Sequence, residues 1–424
     1  MIYIYRCLIN LFFPIILIII FFRMLCKKED KQRYKEKIFY TSSNFKRDKN
    51  KKLIWFHVAS IGELKSIITL INFLNKQDKF QFLITTVTLS SSLLFQKEFS
   101  NEKNIFHKFF PIDKLNLVRK FMNDICPNFV IFIDSEIWPN FIFEIKKRNI
   151  PLILLNARIS KKTFLKWNLI NEFSKKVFQS FDLCLTSNNE TKQFLKEFDV
   201  KNIKFFGNLK FTFQNNDSRY LTQVMKKPDF EKKYWCAMST HEGEDIFCLN
   251  THQNIKKIHN DIVTIIIPRH INRVKKINAI CKKFSLNSQI ISNNETIDPN
   301  KEIIIINSYG VASKYLGLCK SVFIGKSMIK KLKQAGGQNP IEAAKLGCKI
   351  YHGPFVYNFN EIYELLNKHA ISEKIFDSKD LAKKLTNDLN NTNTSKKENI
   401  ELINNLGVKI LNETTNELNK VINR

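Results

Sequence analysis

The nine cysteines of this 424-residue chain include no CxxC pair and leave an odd total, which speaks against a disulfide framework and a thiolate zinc site. They suit a main body that stays in a reducing compartment. GxSxG, GxxxxGK[ST] and GxGxxG are all missing. The nucleophile elbow of a hydrolase, the phosphate loop of an NTPase and the dinucleotide fingerprint therefore have no anchor. His241 and His270 lack partners at metal-ligand spacing, so neither a metal nor a cofactor is expected. Acidic residues are scarce: 39 Asp and Glu stand against 68 Lys and Arg, a formal net charge of +29. That surplus favours an anionic partner. It is spread along a chain rich in Lys, Asn, Ile and Phe, with no RNP or zinc-finger signature, so nucleic acid is not expected. Hydrophobic residues, at 44%, supply ample core material, and the length suits two domains.

The N-terminus differs from everything after it. LINLFFPIILIIIFFRML (8–25) is almost wholly apolar up to Arg23, interrupted by Asn10 and Pro14. Lys27, Lys28, Lys31, Arg33, Lys35 and Lys37 come next, with no small-residue cleavage site among them. The stretch reads as a retained membrane anchor over residues 1–26, short for a span, with a cleaved signal peptide as the competitor. The basic flank would keep the downstream domains in the cytoplasm, close to anionic lipid.

From residue 52 onward short apolar runs alternate with longer amphipathic ones. LIWFHVA (53–59), FQFLITTV (80–87), FVIFID (129–134), PLILLNA (151–157), DLCLTS (182–187) and IKFFG (203–207) read as strands. Helix-like stretches at 63–76, 114–124, 136–147 and 164–179 lie between them. The rhythm breaks at 211–230 and restarts with YWCAMST (234–240), DIVTIIIP (261–268), IIIIN (303–307), SVFIG (321–325) and KIYHG (349–353). Near-continuous apolar strands between helices imply parallel sheets covered on both faces. The pattern predicts two doubly wound α/β domains, over 27–212 and 213–424, the second closed by an amphipathic helix at 399–420.

In such sheets ligands bind where strands end. Ser60-Ile61-Gly62-Glu63 comes directly after the first strand. Gly62 would let a ligand approach the backbone, and Glu63 would lie near a helix N-terminus. The same S-x-x-E spacing is that of a capping box, so a purely structural reading stands beside the functional one. Glu136 comes after the strand at 129–134, Arg158 after the one at 151–157, and Asn208-Leu209-Lys210 after the one at 203–207. Converging on one sheet edge, these would suit a polar, anionic molecule. The second half repeats the pattern. STHEGED (239–245) places acids in a first helical turn. Arg269, after Pro268, is suited to a phosphate. AGGQNPIEAAKLG (335–347) offers a glycine-rich approach to a helix, with Asn339 as a cap and Glu342 able to accept from ribose hydroxyls.

With these residues assembled, the chain resembles the 3-deoxy-D-manno-octulosonic acid (Kdo) transferases, the lipid A glycosyltransferase family. HVASIGE (57–63), TTVT (85–88), PID (111–113), SEIWPN (135–140), NARIS (156–160), GNLKF (207–211), STHEGE (239–244), IIPRH (266–270), GGQNPIEAAKLG (336–347) and GPFVYNF (353–359) carry the resemblance, in family order. It implies a GT-B fold of two Rossmann-like domains facing across a cleft, with the N-terminal anchor in the inner membrane and both domains on its cytoplasmic side. It implies CMP-Kdo as donor substrate and a lipid A precursor, lipid IVA, as acceptor. By position, Glu63 matches the family's general base, and Glu136 and Lys210 match groups that organise the site or stabilise the transition state. Pro268, Arg269, Tyr309, Gly310, Val311, Asn339, Pro340, Ile341 and Glu342 match nucleotide contacts. The chain departs from the family pattern at NSYGV (307–311), GKS (325–327) and Gln338. The alternatives are another GT-B glycosyltransferase with a different nucleotide sugar, or a non-catalytic membrane protein that binds anionic lipid.

Overall fold

The structure is a computed structural model and describes residues 1–39, 47–213, 232–292, 295–332, 336–391 and 396–422. The expected linker at 211–230 lies outside the described residues from 214 on. Two compact units divide the chain: Met1–Gln214 with Leu406–Arg424, and Asn215–Asn405. The terminal segment 406–424 thus groups with the first unit, where the sequence alone placed it in the second. Its packing explains this. Gly207 has φ +117°, a conformation that disfavours any side chain, and a Cβ there would come within 2.8 Å of the Ile410 side chain. The Lys204 ammonium also pairs with Glu417 at 2.5 Å.

The first sheet contains β1 (Lys52–Val58), β2 (Phe80–Thr86), β3 (Ile105–Phe109), β4 (Phe129–Ile133), β5 (Leu152–Ala157), β6 (Leu183–Thr186) and β7 (Ile203–Phe205). Its order is β3-β2-β1-β4-β5-β6-β7 and every pairing is parallel. Parallel neighbours require helical crossovers, which cover both faces. That is why six of the seven residues of β1 are buried whichever face they point to. Trp55 of β1 centres one face, with Phe121 and Phe141 ring centroids 4.9 and 5.5 Å away.

The second unit repeats the plan with β8 (Lys233–Thr240), β9 (Ile262–Pro268), β10 (Ser288–Ile291), β11 (Ile303–Ile306), β12 (Ser321–Ile324), β13 (Lys349–His352) and β14 (Ser372–Lys374). Their order is β10-β11-β9-β8-β12-β13-β14, again all parallel. The eleven strands read from the sequence all form. The three that were not read, β3, β10 and β14, are all sheet edges, which are half covered and need no continuous apolar run. The helix expected at 164–179 is two helices, Lys161–Asn168 and Asn171–Phe178.

Candidate active site

Both sheets carry the same local irregularity at their carboxyl edge. The β5–β6 register shifts between Leu155 and Ala157, and the β8–β9 register between Met238 and Thr240. The residues inside these shifts, Asn156 and Ser239, have φ of 55° and 59°. A bulge at a strand end re-aims the side chains around it.

In the first unit this edge gathers carboxylates. The helix Ile61–Asn75 begins at Ser60, whose Oγ accepts from the Glu63 N–H at 3.4 Å. The Glu63 carboxylate accepts from the Ser60 hydroxyl at 2.8 Å and from the Ala59 N–H at 2.7 Å. The motif is thus a capping box whose return bond lands one residue early. Asp134 ends β4 in a left-handed conformation, φ 55°, which Asp tolerates. Its carboxylate accepts from the Asn156 amide at 2.5 Å and lies 3.5 Å from the Lys210 ammonium. Asn156 Oδ1 in turn accepts from the Leu209 N–H at 2.9 Å, which ties the Lys210 loop to the edge.

Glu136 is held from two sides. The Trp138 indole N–H donates to its Oε2 at 2.9 Å, and His57 Nε2 lies 3.2 Å from the same oxygen. Burial pushes the His57 pKa down, opposed by Glu136 and by a bond to the Thr85 backbone. His57 Nδ1 lies 3.0 Å from the Thr85 hydroxyl on its other side. Thr85 Oγ1 itself accepts from the Trp55 indole at 2.9 Å. The result is a buried chain, Trp55–Thr85–His57–Glu136, that fixes one carboxylate oxygen.

Glu63 responds to these neighbours. Burial and then the Asp134 charge raise its pKa to about 7, with a smaller push from Glu136; the bonds from Ala59 and Ser60 oppose. A carboxylate that titrates near neutrality can both accept and carry a proton. Glu63, Glu136 and Lys210, singled out from the sequence, are therefore brought together. Asp134 and His57 were not singled out, although a charge ending an apolar strand and a polar ring within one were the visible signals.

Gly62 sits beside Glu63 in the first helical turn and is exposed. A Cβ there would meet only Ser60 Oγ, at 3.9 Å. Folding gives no reason for glycine here, and in a helix it costs about 0.5–1 kcal/mol against alanine. Gly62→Ala should therefore raise thermal stability slightly while increasing the KM for any substrate that packs against this turn. Differential scanning calorimetry and steady-state kinetics check the two halves of that statement.

In the second unit the carboxyl edge is cationic. Pro268 ends β9, and Arg269 comes next, exposed, with its N–H donating to Thr240 O at 3.1 Å. Lys326, after β12, has φ 60° and its pKa is lowered by burial and by the Arg269 charge. His241 is lowered by burial and by Lys326, His270 and Arg273, against a bond to Ser239. Glu244, 1% exposed, anchors this edge. Its carboxylate accepts from the N–H groups of Lys326, Ser327, Met328 and His241 at 2.7, 2.9, 3.0 and 3.0 Å. Gly325 is required for that closure, because a Cβ would lie 2.6 Å from Ser239 O.

Of the other residues expected here, Tyr309 is 63% exposed and its hydroxyl accepts from the Ile271 N–H at 3.4 Å, which links the loop after β11 to the one after β9. Gly310 has φ 78° and Val311 caps the short helix Ala312–Leu316. The Gly337 N–H donates to Lys326 O at 2.7 Å, which joins the glycine turn to the cationic loop. Asn339 Oδ1 accepts from the Ile341 N–H at 3.1 Å. Pro340 and Ile341 are buried, so the Ile341 side chain is committed to packing; Glu342 is half-buried.

A sequence model of the family described as 3-Deoxy-D-manno-octulosonic-acid transferase (kdotransferase) matches residues 32–213. A 3-deoxy-D-manno-octulosonic acid transferase of Rickettsia bellii is 30% identical over 374 residues, 87% of each chain. The chain belongs to the Kdo transferase family. The enzyme of that name from Haemophilus influenzae is 25% identical over 374 residues, 87% of this chain and 85% of that one. The fold is that of a glycosyltransferase from Rickettsia africae (TM-score 0.57, 12% identity, 88% of this chain and 99% of that one). It is also that of Anabaena HepE, solved with UDP and glucose (TM-score 0.59, 10% identity, 87% of this chain and all of that one). The stretch matched by the family model contains Glu63, Asp134, Glu136 and Lys210.

Proposed function

We propose that the chain transfers Kdo from CMP-Kdo to a sugar hydroxyl of a lipid A precursor, lipid IVA, in lipopolysaccharide biosynthesis, at the cytoplasmic face of the inner membrane. The observation that carries this reading is the Glu63 carboxylate, set at a strand's carboxyl edge among Asp134, Glu136 and Lys210 with a pKa near 7. The acceptor oxygen attacks the anomeric carbon of Kdo, its proton passes to the Glu63 carboxylate, and the bond from that carbon to the CMP phosphate oxygen breaks. Attack opposite the leaving group inverts the anomeric configuration. CMP leaves as an anion and needs no proton. Glu136, fixed by His57 and Trp138, and Lys210, paired with Asp134, organise the acceptor side. On the nucleotide side Arg269 offers a guanidinium to the CMP phosphate, with Lys326 adding to the positive field. Tyr309, Gly310, Val311 and the Asn339–Glu342 stretch complete the nucleotide contacts, Glu342 through a ribose hydroxyl.

The test uses the full chain with CMP-Kdo and a tetra-acylated, bis-phosphorylated disaccharide lipid, with UDP- and ADP-sugars as competitors. The reading expects CMP release matched by a Kdo mass increment on the lipid, unaffected by the competitors. Wild-type protein that releases no CMP, or transfers from a UDP-sugar instead, would contradict it.

A further inference from the structure

The N-terminal helix Ile2–Leu25 is long and apolar enough to cross a membrane, yet its packing is that of a helix lying down. Its covered residues recur every three or four positions: Ile2, Arg6, Ile9, Phe13, Ile16 and Ile20 are all partly or fully covered. Near its start, the Tyr5 hydroxyl donates to Asp113 Oδ2 at 2.7 Å and the Arg6 guanidinium to Asn140 Oδ1 at 2.9 Å. Ile2 packs on the aromatic cluster around Trp55. Midway, the Lys114 ammonium lies 3.8 Å from the Phe13 ring centroid. At its far end, Arg23 donates to Glu29 at 2.7 Å; Glu29 also binds Lys37, whose ammonium donates to Val87 O at 2.6 Å.

Tyr5 and Arg23 are about 27 Å apart along a helix, close to the hydrocarbon thickness of about 30 Å. A crossing helix would leave one of these ends on the far side of the bilayer from the unit that holds both. The opposite face is bare and apolar: Leu11, Phe12, Ile15, Ile18 and Phe22 are all exposed. The two charged residues of the helix, Arg6 and Arg23, are both paired with groups of the first unit, and exposed Lys27, Lys28 and Lys31 come directly after it.

We propose that this helix lies lengthwise on the first unit and immerses its outer face in one leaflet of an anionic membrane, without crossing it. The apolar stripe matches acyl chains, and the lysines after it match anionic headgroups. The unit itself supplies the polar side that an interfacial helix ordinarily carries on its own surface. The contact also has a place in the chemistry, a point that rests on the lipid-acceptor reading. Asp113 accepts from the N–H groups of Asn140 and Phe141, each at 3.0 Å. These open the helix Pro139–Lys147, directly after the Trp138 that holds Glu136. The leaflet would then lie beside the edge at which a lipid-borne hydroxyl is deprotonated.

Two readouts test this, and neither needs donor or transfer, so both are independent of the functional reading. The full chain carrying an N-terminal epitope tag is treated with protease in spheroplasts. Tag and units should both survive in intact spheroplasts and both be digested after lysis. Loss of the tag alone from intact spheroplasts would overturn the proposal. Purified full-length protein is also floated with vesicles of phosphatidylcholine and phosphatidylglycerol in equal parts, or of phosphatidylcholine alone. It should partition to the anionic vesicles. The exposed-face variant Leu11→Ser/Ile15→Ser/Phe22→Ser should partition about a hundredfold less with an unchanged far-UV spectrum. Equal partitioning of wild type and variant, or wild type that pairs with a second copy through this face and ignores vesicles, would overturn it.

Discussion

Glu63→Gln should lower kcat for Kdo transfer by about 10²–10⁴-fold, the range of a positioned general base, while CMP binding stays unchanged. Gln keeps the shape: its one acceptor oxygen can still take the Ala59 N–H and its NH2 can donate to the Ser60 oxygen, but it cannot take the acceptor's proton. Thermodynamic linkage supplies a second signature. The Glu63 pKa is raised from 4.5 to about 7 in the folded protein. Folding therefore binds a proton in that window, and the ionised carboxylate destabilises the native state above it. Glu63→Gln should raise Tm at pH 8, and the gain should shrink as pH falls through 7 toward 4.5. A more stable and inactive variant separates a functional carboxylate from a merely structural cap, whose removal would destabilise at every pH. Calorimetry at several pH values, alongside the transfer assay, reads both effects.

Glu244→Ala should be the most damaging substitution in the second unit. It removes one buried carboxylate and leaves four backbone N–H groups, on Lys326, Ser327, Met328 and His241, without their acceptor. Bonds to a charged group contribute about 1.5–3 kcal/mol each and do not add fully. The expected loss is about 3–4 kcal/mol, or roughly 10 °C in Tm for a unit of this size. The same loop carries Lys326 beside Arg269, so CMP affinity should fall along with stability. Glu244→Gln, which keeps the volume and one acceptor oxygen, should lie between the two. A Glu244→Ala protein with wild-type Tm and CMP binding would show that the loop is held by other means.

The fold was legible where burial is two-sided. Interior strands such as LIWFHVA and DIVTIIIP carry apolar residues on both faces, in runs too short for a buried or membrane-crossing helix. The edge strands IFHKF, SQII and SEK were not legible, because an edge mixes polar with apolar residues and its pairing is decided by the neighbour. The final helix was legible as a helix, but its attachment to the first unit depends on Ile410 meeting Gly207, a contact between residues about two hundred positions apart. The candidate site was legible by position and much less by chemistry. Glu63, Glu136 and Lys210 stand just after apolar strands, where sheets of this type bind ligands. Whether Glu63 acts as a cap or a base turns on Asp134 approaching it, and that approach needs the left-handed turn at Asp134 and the bulge at Asn156. The S-x-x-E spacing cannot report either. The proposed nucleotide contacts were read from stretches that match the family and not from packing; Ile341, within one such stretch, has its side chain buried.

The central claim is that Glu63 is a base tuned to neutrality by burial and by the Asp134 charge. The pH dependence of kcat/KM reports the free enzyme's essential groups, and comparing wild type with Asp134→Asn isolates the cause. Wild type should lose activity below an apparent pKa near 7, and Asp134→Asn should move that limb to lower pH. An acid limb near 4.5 in both proteins, the ordinary value for a glutamate, would contradict the account.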